Sequence, residues 1–107
     1  MTTIKLDSHF SGRALTASPG DRLELQLDEN PTTGFRWYAE DDQSGVLVLE
    51  QDVFIRPRSG VSGAGGTREF TFRVAKPGQA MLRVYNRRSW EKDKPPQAVF
   101  ELRVTAQ

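Results

Sequence analysis

The chain has 107 residues, room for one compact domain and too few for two ordinary ones. Fifteen basic against fourteen acidic residues leave a formal charge of +1, which excludes a strong whole-molecule pull towards nucleic acid or an anionic membrane. The lack of cysteine excludes disulfides, a thiol nucleophile and thiolate metal ligation, and no apolar run approaches the roughly 20 residues of a membrane span.

The N-terminal "MTTIKLDSHF" lacks the basic segment and apolar core of a secretory signal. As written the chain reads as soluble and cytoplasmic, or as periplasmic or secreted if an export signal has been removed. "TIKL" predicts a first short strand, and His9, the lone histidine, falls just after it, where it reads as a surface or strand-edge residue. "SPGD" at 18–21 reads as a turn with Pro at its second position and Gly at positive φ. "RLELQLD" then places Leu23, Leu25 and Leu27 on one face with Glu24 and Gln26 opposite, the period-two signature of a strand with one buried side. "FRWYAE" at 35–40 and "VLVLEQDVFI" at 46–55 follow as strands, the second broken by a bend, with Asp41 and Asp42 in a solvated turn between them. "REFTFRV" presents Phe70, Phe72 and Val74 to one side. After the "KPGQ" turn at 76–79, "AMLRVYN" does the same with Leu82 and Val84, and "VFELRV" with Phe100, Leu102 and Val104. No segment carries a helical stripe. Seven to eight short strands with turn signals near every ten residues predict an all-β, immunoglobulin-like antiparallel β-sandwich, filling 1–107 as a single domain.

Three connections exceed a tight turn: 30–35, 58–67 and 86–97. On a seven-strand count they join strands two and three, four and five, and six and seven, so they are expected at one edge of the sandwich. In the first, Pro31 fixes its own φ and holds Asn30 extended, while Gly34 releases the chain at positive φ into Phe35. Thr32 and Thr33 are left at a stiff tip that loses little entropy on binding, although a well-made connecting loop has the same features. The second carries Gly60, Gly63, Gly65 and Gly66, read either as a flexible link or as a place of close backbone approach. A phosphate cradle is disfavoured there by the lack of a following Lys-Ser or Lys-Thr pair and of a helix N-terminus. The third holds Arg87, Arg88 and Trp90, types enriched at binding hot spots, with a Trp folded back into the core as the other reading. Glu91 and Asp93 interrupt its basic charge, which argues against single-stranded nucleic acid. Catalysis has little support, since one histidine builds neither a metal site nor a nucleophile-base pair, and adjacent Asp41 and Asp42 point apart in extended chain.

The ordered loops "NPTTGF" at 30–35 and "GAGG" at 63–66 resemble the chagasin family of inhibitors of papain-like cysteine peptidases, whose pattern adds an Arg-Pro-Trp loop. Here the third loop reads "RRSWE", with Ser89 where proline is expected. Counting back from Trp90 makes Arg88 the family arginine; counting forward from Tyr85 makes it Arg87. The resemblance implies no cofactor, no reaction of its own, a monomeric state, and a cathepsin-type peptidase as partner. It implies that Asn30, Pro31, Thr32, Thr33, Gly34 and Phe35 enter the groove over the catalytic cysteine, with the Thr hydroxyls hydrogen-bonding near the thiolate and imidazolium. Gly63, Ala64, Gly65 and Gly66 would run along the groove by backbone contact, and Trp90, with Arg87 or Arg88, would pack on the opposite lobe. The competing reading is a β-sandwich binding module for adhesion or carbohydrate recognition, which would use a sheet face or loop aromatics.

Overall fold

In the computed structural model, which describes residues 1–56 and 65–107, eight strands follow one another: β1 Thr3–Leu6, β2 Arg13–Ala17, β3 Arg22–Glu29, β4 Phe35–Ala39, β5 Leu47–Ile55, β6 Gly66–Val74, β7 Gly78–Arg88 and β8 Ala98–Ala106. Single 3-10 turns at Ser8–Phe10 and Pro31–Thr33 interrupt them, and no helix among the described residues is long and apolar enough to cross a membrane. The strands form two four-stranded sheets, one in the order β1-β3-β6-β5 and the other β2-β8-β7-β4. The period-two residues meet between them. Leu23, Leu25 and Leu27 of β3 and Phe70, Phe72 and Val74 of β6 face Leu82 and Val84 of β7 and Phe100, Leu102 and Val104 of β8, all buried. Each fully buried Leu or Phe contributes roughly 1.5–3 kcal/mol, so this stripe is the main source of stability.

The sandwich agrees with the expectation and differs from it in three details. β2 carries only Leu15 and Ala17 as inward apolar residues, too few to announce a strand, and it lies at a sheet edge. Counting it moves the long connections to β3–β4, β5–β6 and β7–β8 without changing the edge they share. The pairs β1–β3 and β2–β8 are parallel where an antiparallel arrangement was expected. The N-terminal stretch runs first along one sheet and then, past Ser8–Phe10, along the other; residues 7–21, with β2 among them, are the crossover between β1 and β3, and the chain from β3 to β7 is the crossover between β2 and β8. Finally, β5 is one continuous strand, and the expected bend is a bulge at Glu50, where its register against β6 shifts.

The turn at 18–21 fastens the N-terminus. Gly20 takes φ 97°, Asp21 N–H donates to Ser18 O, and the Asp21 carboxylate accepts Ser18 N–H at 2.9 Å and Thr2 N–H at 3.0 Å. The bond from Ser18, against the opposing loss of solvation and with help from Thr2, holds Asp21 below its ordinary 3.8. A carboxylate lowered in the folded state contributes stability that is full above its unfolded value and disappears as the pH falls through the folded one. Thermal melts from about pH 5 down to about pH 2 are therefore expected to show a smaller loss of melting temperature for Asp21→Asn than for the parent chain.

Candidate functional site

The 30–35 connection is built almost wholly from its own hydrogen bonds. Asn30 is extended at φ −117° and ψ 101°, and its Oδ1 accepts Thr32 N–H at 3.1 Å, capping the Pro31–Thr33 turn, which has Pro in its first helical position. Thr33 N–H reaches Asn30 O at 3.2 Å and Gly34 N–H reaches Pro31 O at 3.1 Å. Gly34 closes the turn at φ 80°, a left-handed conformation that other residues adopt only with strain. The threonine hydroxyls are also engaged: Thr32 Oγ1 donates to Asn30 Oδ1 at 2.7 Å, and Thr33 Oγ1 donates to Asn30 O at 2.8 Å while accepting Phe35 N–H at 3.3 Å. Their hydrogens are thus used inside the loop, which leaves the exposed hydroxyls with lone pairs and no free donor. This narrows the role expected from sequence.

Alternation along β7 separates the two arginines. Arg88 lies in phase with the inward Leu82, Val84 and Asn86, at the end of the strand opposite Phe35. Its guanidinium sits 4.3 Å from the Phe35 ring centroid and 5.8 Å from that of Trp90, and its Nε donates to Thr33 O at 3.1 Å. Arg87 faces the other side of the sheet and stacks on Tyr38 at 4.4 Å. Arg88 is therefore brought together with the first loop and Trp90, and Arg87 is not.

The third loop folds back over the first. Trp90 is 70% exposed, yet a methyl group added at Gly34 would lie 2.6 Å from its Cη2 and 3.4 Å from Cζ2 and Cζ3, so the far corner of the indole abuts Gly34 while most of the ring stays in solvent. The core reading of Trp90 is thereby excluded. Ser89 is the second residue of a turn closed by Glu91 N–H to Arg88 O at 3.1 Å. Lys94 Nζ, at 2.9 Å, is the leading cause that holds the Glu91 carboxylate below its ordinary range, opposed by desolvation and assisted by Arg88.

Of the glycine loop, Gly63 and Ala64 lie outside the described residues. Gly65 runs against the first loop: a methyl there would stand 3.4 Å from Glu29 O and 3.7 Å from Asn30 Cβ. At Gly66 a methyl would come within 2.5 Å of Ile55 O and 2.6 Å of Phe54, so only glycine lets the chain re-enter the sheet there. The first and third connections and the described end of the second, Gly65 and Gly66, thus meet at one end of the sandwich. His9 stands elsewhere, exposed beside Asp7 at 3.1 Å, and no metal-holding group of three His, Asp or Glu occurs among the described residues.

Two residues that shape this edge were not singled out from sequence. Glu29 continues the inward phase of Leu23, Leu25 and Leu27, and Arg68 that of Val74, Phe72 and Phe70. Their signal was a charge in register with an apolar stripe, where a buried partner is required.

Comparison with known proteins agrees with this geometry. The model of the Chagasin family peptidase inhibitor I42 matches residues 16–104. Chagasin of Trypanosoma cruzi is 32% identical over 90 residues, covering 80% of this chain and 82% of chagasin. The crystal structure of the cysteine protease inhibitor EhICP2 from Entamoeba histolytica superposes with a TM-score of 0.86 at 25% identity, over 100% of this chain and 97% of that one. The fold of PbICP-C, solved in complex with falcipain-2, matches with a TM-score of 0.65 at 17% identity over the whole of both chains. Both the family model and these relatives describe inhibitors and not enzymes or carbohydrate-binding modules. With the family model spanning most of the chain and the 30–35 loop folded as a self-bonded tip beside Arg88 and Trp90, this chain belongs to the chagasin family of peptidase inhibitors, directed at cysteine peptidases.

Proposed function

We propose that the chain, acting as one inhibitory domain, is a reversible, tight-binding competitive inhibitor of papain-like, cathepsin-type cysteine peptidases. In this reading the Pro31–Thr33 tip stands over the catalytic cysteine, Gly63 to Gly66 follow the groove by backbone contact, and Trp90 packs on the facing lobe. Such a peptidase holds a thiolate-imidazolium pair at the floor of a groove between two lobes and cleaves peptides that lie extended across it. A tip wound into a 3-10 turn and ended by a left-handed glycine presents no extended peptide for attack. The hydroxyls of Thr32 and Thr33, with their hydrogens already bonded inside the loop, offer lone pairs to an imidazolium or to backbone N–H groups.

The single observation that carries the reading is the placement of Arg88 between Phe35 and Trp90 with its Nε on Thr33 O. It fastens the third loop to the first, so that a solvent-exposed indole and the threonine tip form one stiff surface. An exposed Trp on a rigid support is the kind of residue that dominates protein interfaces, and pre-formed loops lose little entropy on docking.

Titration of papain or a cathepsin with the purified protein, alongside trypsin and a metallopeptidase, is expected to show competitive inhibition of the papain-like enzymes alone. After long incubation with excess peptidase, mass spectrometry is expected to find the chain intact between Asn30 and Phe35. Equal potency on trypsin, or prompt cleavage in that segment with recovery of activity, overturns the mechanism.

Trp90→Ala is expected to raise the inhibition constant at least about tenfold, in line with hot-spot truncations of 2 kcal/mol or more. Its melting temperature should change little, because the lost ring is mostly in solvent. Inhibition constants and thermal melts of the same preparation check both halves.

Ser89→Pro should act in the opposite direction. Position 89 is the turn position whose φ suits proline, and the preceding Arg88 is already extended in β7. The substitution is expected to stabilise the fold by about 0.4–1 kcal/mol and to tighten inhibition modestly, read from melts and inhibition constants against the parent.

A further inference from the structure

The 30–35 loop rises from two feet that are bolted together. On one side stand Asp28 and Glu29 at the end of β3; on the other stands Trp37 in β4, an edge strand of the opposite sheet. Trp37 Nε1–H donates to Asp28 O at 2.9 Å, and Trp37 N–H donates to Glu29 Oε1 at 2.8 Å. The second bond is unusual in kind, since an edge-strand amide is satisfied by a side chain of the facing sheet. Glu29 is held for this task from behind: its side chain is 1% exposed, and its carboxylate accepts Arg68 Nε at 3.2 Å and Arg68 Nη2 at 2.8 Å. Arg68 Nη1 reaches Asp52 at 3.1 Å, Arg36 Nη2 reaches the other oxygen of Asp52 at 2.9 Å, and the Arg68 guanidinium stacks on Phe54 at 5.6 Å.

We propose that Glu29, held by Arg68, is a positioning residue for inhibition: its carboxylate clamps the two feet of the 30–35 loop and thereby sets the angle at which the threonine tip meets the peptidase. Arg68 and Asp52 lie on β6 and β5, the strands that carry the glycine loop, so the same ion pairs hold the bases of both loops in one frame. A carboxylate suits the place because it accepts from the Arg68 fork and from Trp37 at once. An amide has one acceptor oxygen for two sets of donors and turns its own NH2 group on the other set. This inference rests on the reading of the 30–35 loop as the segment that enters the groove.

The test uses two variants of the full chain. Glu29→Gln keeps the shape and removes one side of the clamp. Glu29→Leu/Arg68→Leu removes both charges together, which a fold tolerates far better than one buried charge alone, and leaves Trp37 N–H without its acceptor. Each is measured for melting temperature, inhibition constant on a papain-like enzyme, and amide hydrogen exchange of Thr32, Thr33 and Gly34 in the free protein. At a temperature where each variant is fully folded, the expected result is an inhibition constant raised at least about tenfold. Exchange at the three loop amides should quicken while that of core amides such as Leu25 and Phe70 does not. A double variant that is as stable as the parent yet inhibits weakly separates positioning from a structural role, because a structural role predicts that stability and inhibition recover together. Unchanged inhibition and unchanged loop exchange in the folded variants overturn the proposal; if either variant fails to fold, the other decides. Should the parent chain inhibit no papain-like enzyme, the functional reading fails on that result, and the clamp is judged by the exchange rates alone.

Discussion

The rest of the molecule depends on how the inward-facing stripes end. Along β3, β6 and β7 the residues that face the opposite sheet are apolar until the loop end of the sandwich, where they become Glu29, Arg68, Asn86 and Arg88. Apolar packing is strong but without direction, and it holds two sheets together without fixing the angle of what grows from their ends. A buried carboxylate has the opposite character: it is tolerable only with its donors in place. By meeting Arg68 and Trp37 from both sheets, Glu29 converts the last layer of the core into a directed joint.

Rigidity at that joint resolves a conflict in the loops above it. The loops expose their threonines and an indole, which removes the burial that would otherwise order them. Order is supplied instead by local bonds: the Asn30 side chain caps the turn, Gly34 supplies the left-handed exit and room for the corner of the Trp90 ring, and Arg88 is shared between the two loops. The entropy of ordering is thus lost on folding and not on binding.

The same economy appears at the sheet edges, where unpaired strands invite association. The long edge strand β5 is bent by the bulge at Glu50, whose carboxylate meets Arg22 at 2.9 Å and Arg73 at 3.1 Å. At the edge of the other sheet, Arg36 spans from β4 to Asp52 on β5, placing charge over the opening between the sheets. These exposed pairs add little stability; they shape the edges.

Local chemistry was legible from the sequence wherever one short stretch carried the whole physical cause. Period-two apolar runs announced β3, β6, β7 and β8, Pro-Gly pairs announced turns, and "NPTTGF" announced a stiff tip, because each depends on residues within a few positions of one another. The edge strand β2 escaped notice because its stripe is short, and the parallel pairing of β1 with β3 and of β2 with β8 because pairing direction depends on which sheet a strand joins. Which arginine serves the loop could not be counted from the motif. Once β7 set its register against Phe35, alternation put Arg88 inward and Arg87 outward. The joint beneath the loop lay furthest from view, since Glu29 and Arg68 are 39 residues apart. The sequence by itself determined the sandwich, its family motif and the conformation of the tip, through steric and hydrogen-bonding preferences that act over a few bonds. Only the tertiary structure decided which buried charges meet, because that choice is made by register between strands distant in sequence, and a carboxylate accepts whichever donors the fold brings within reach.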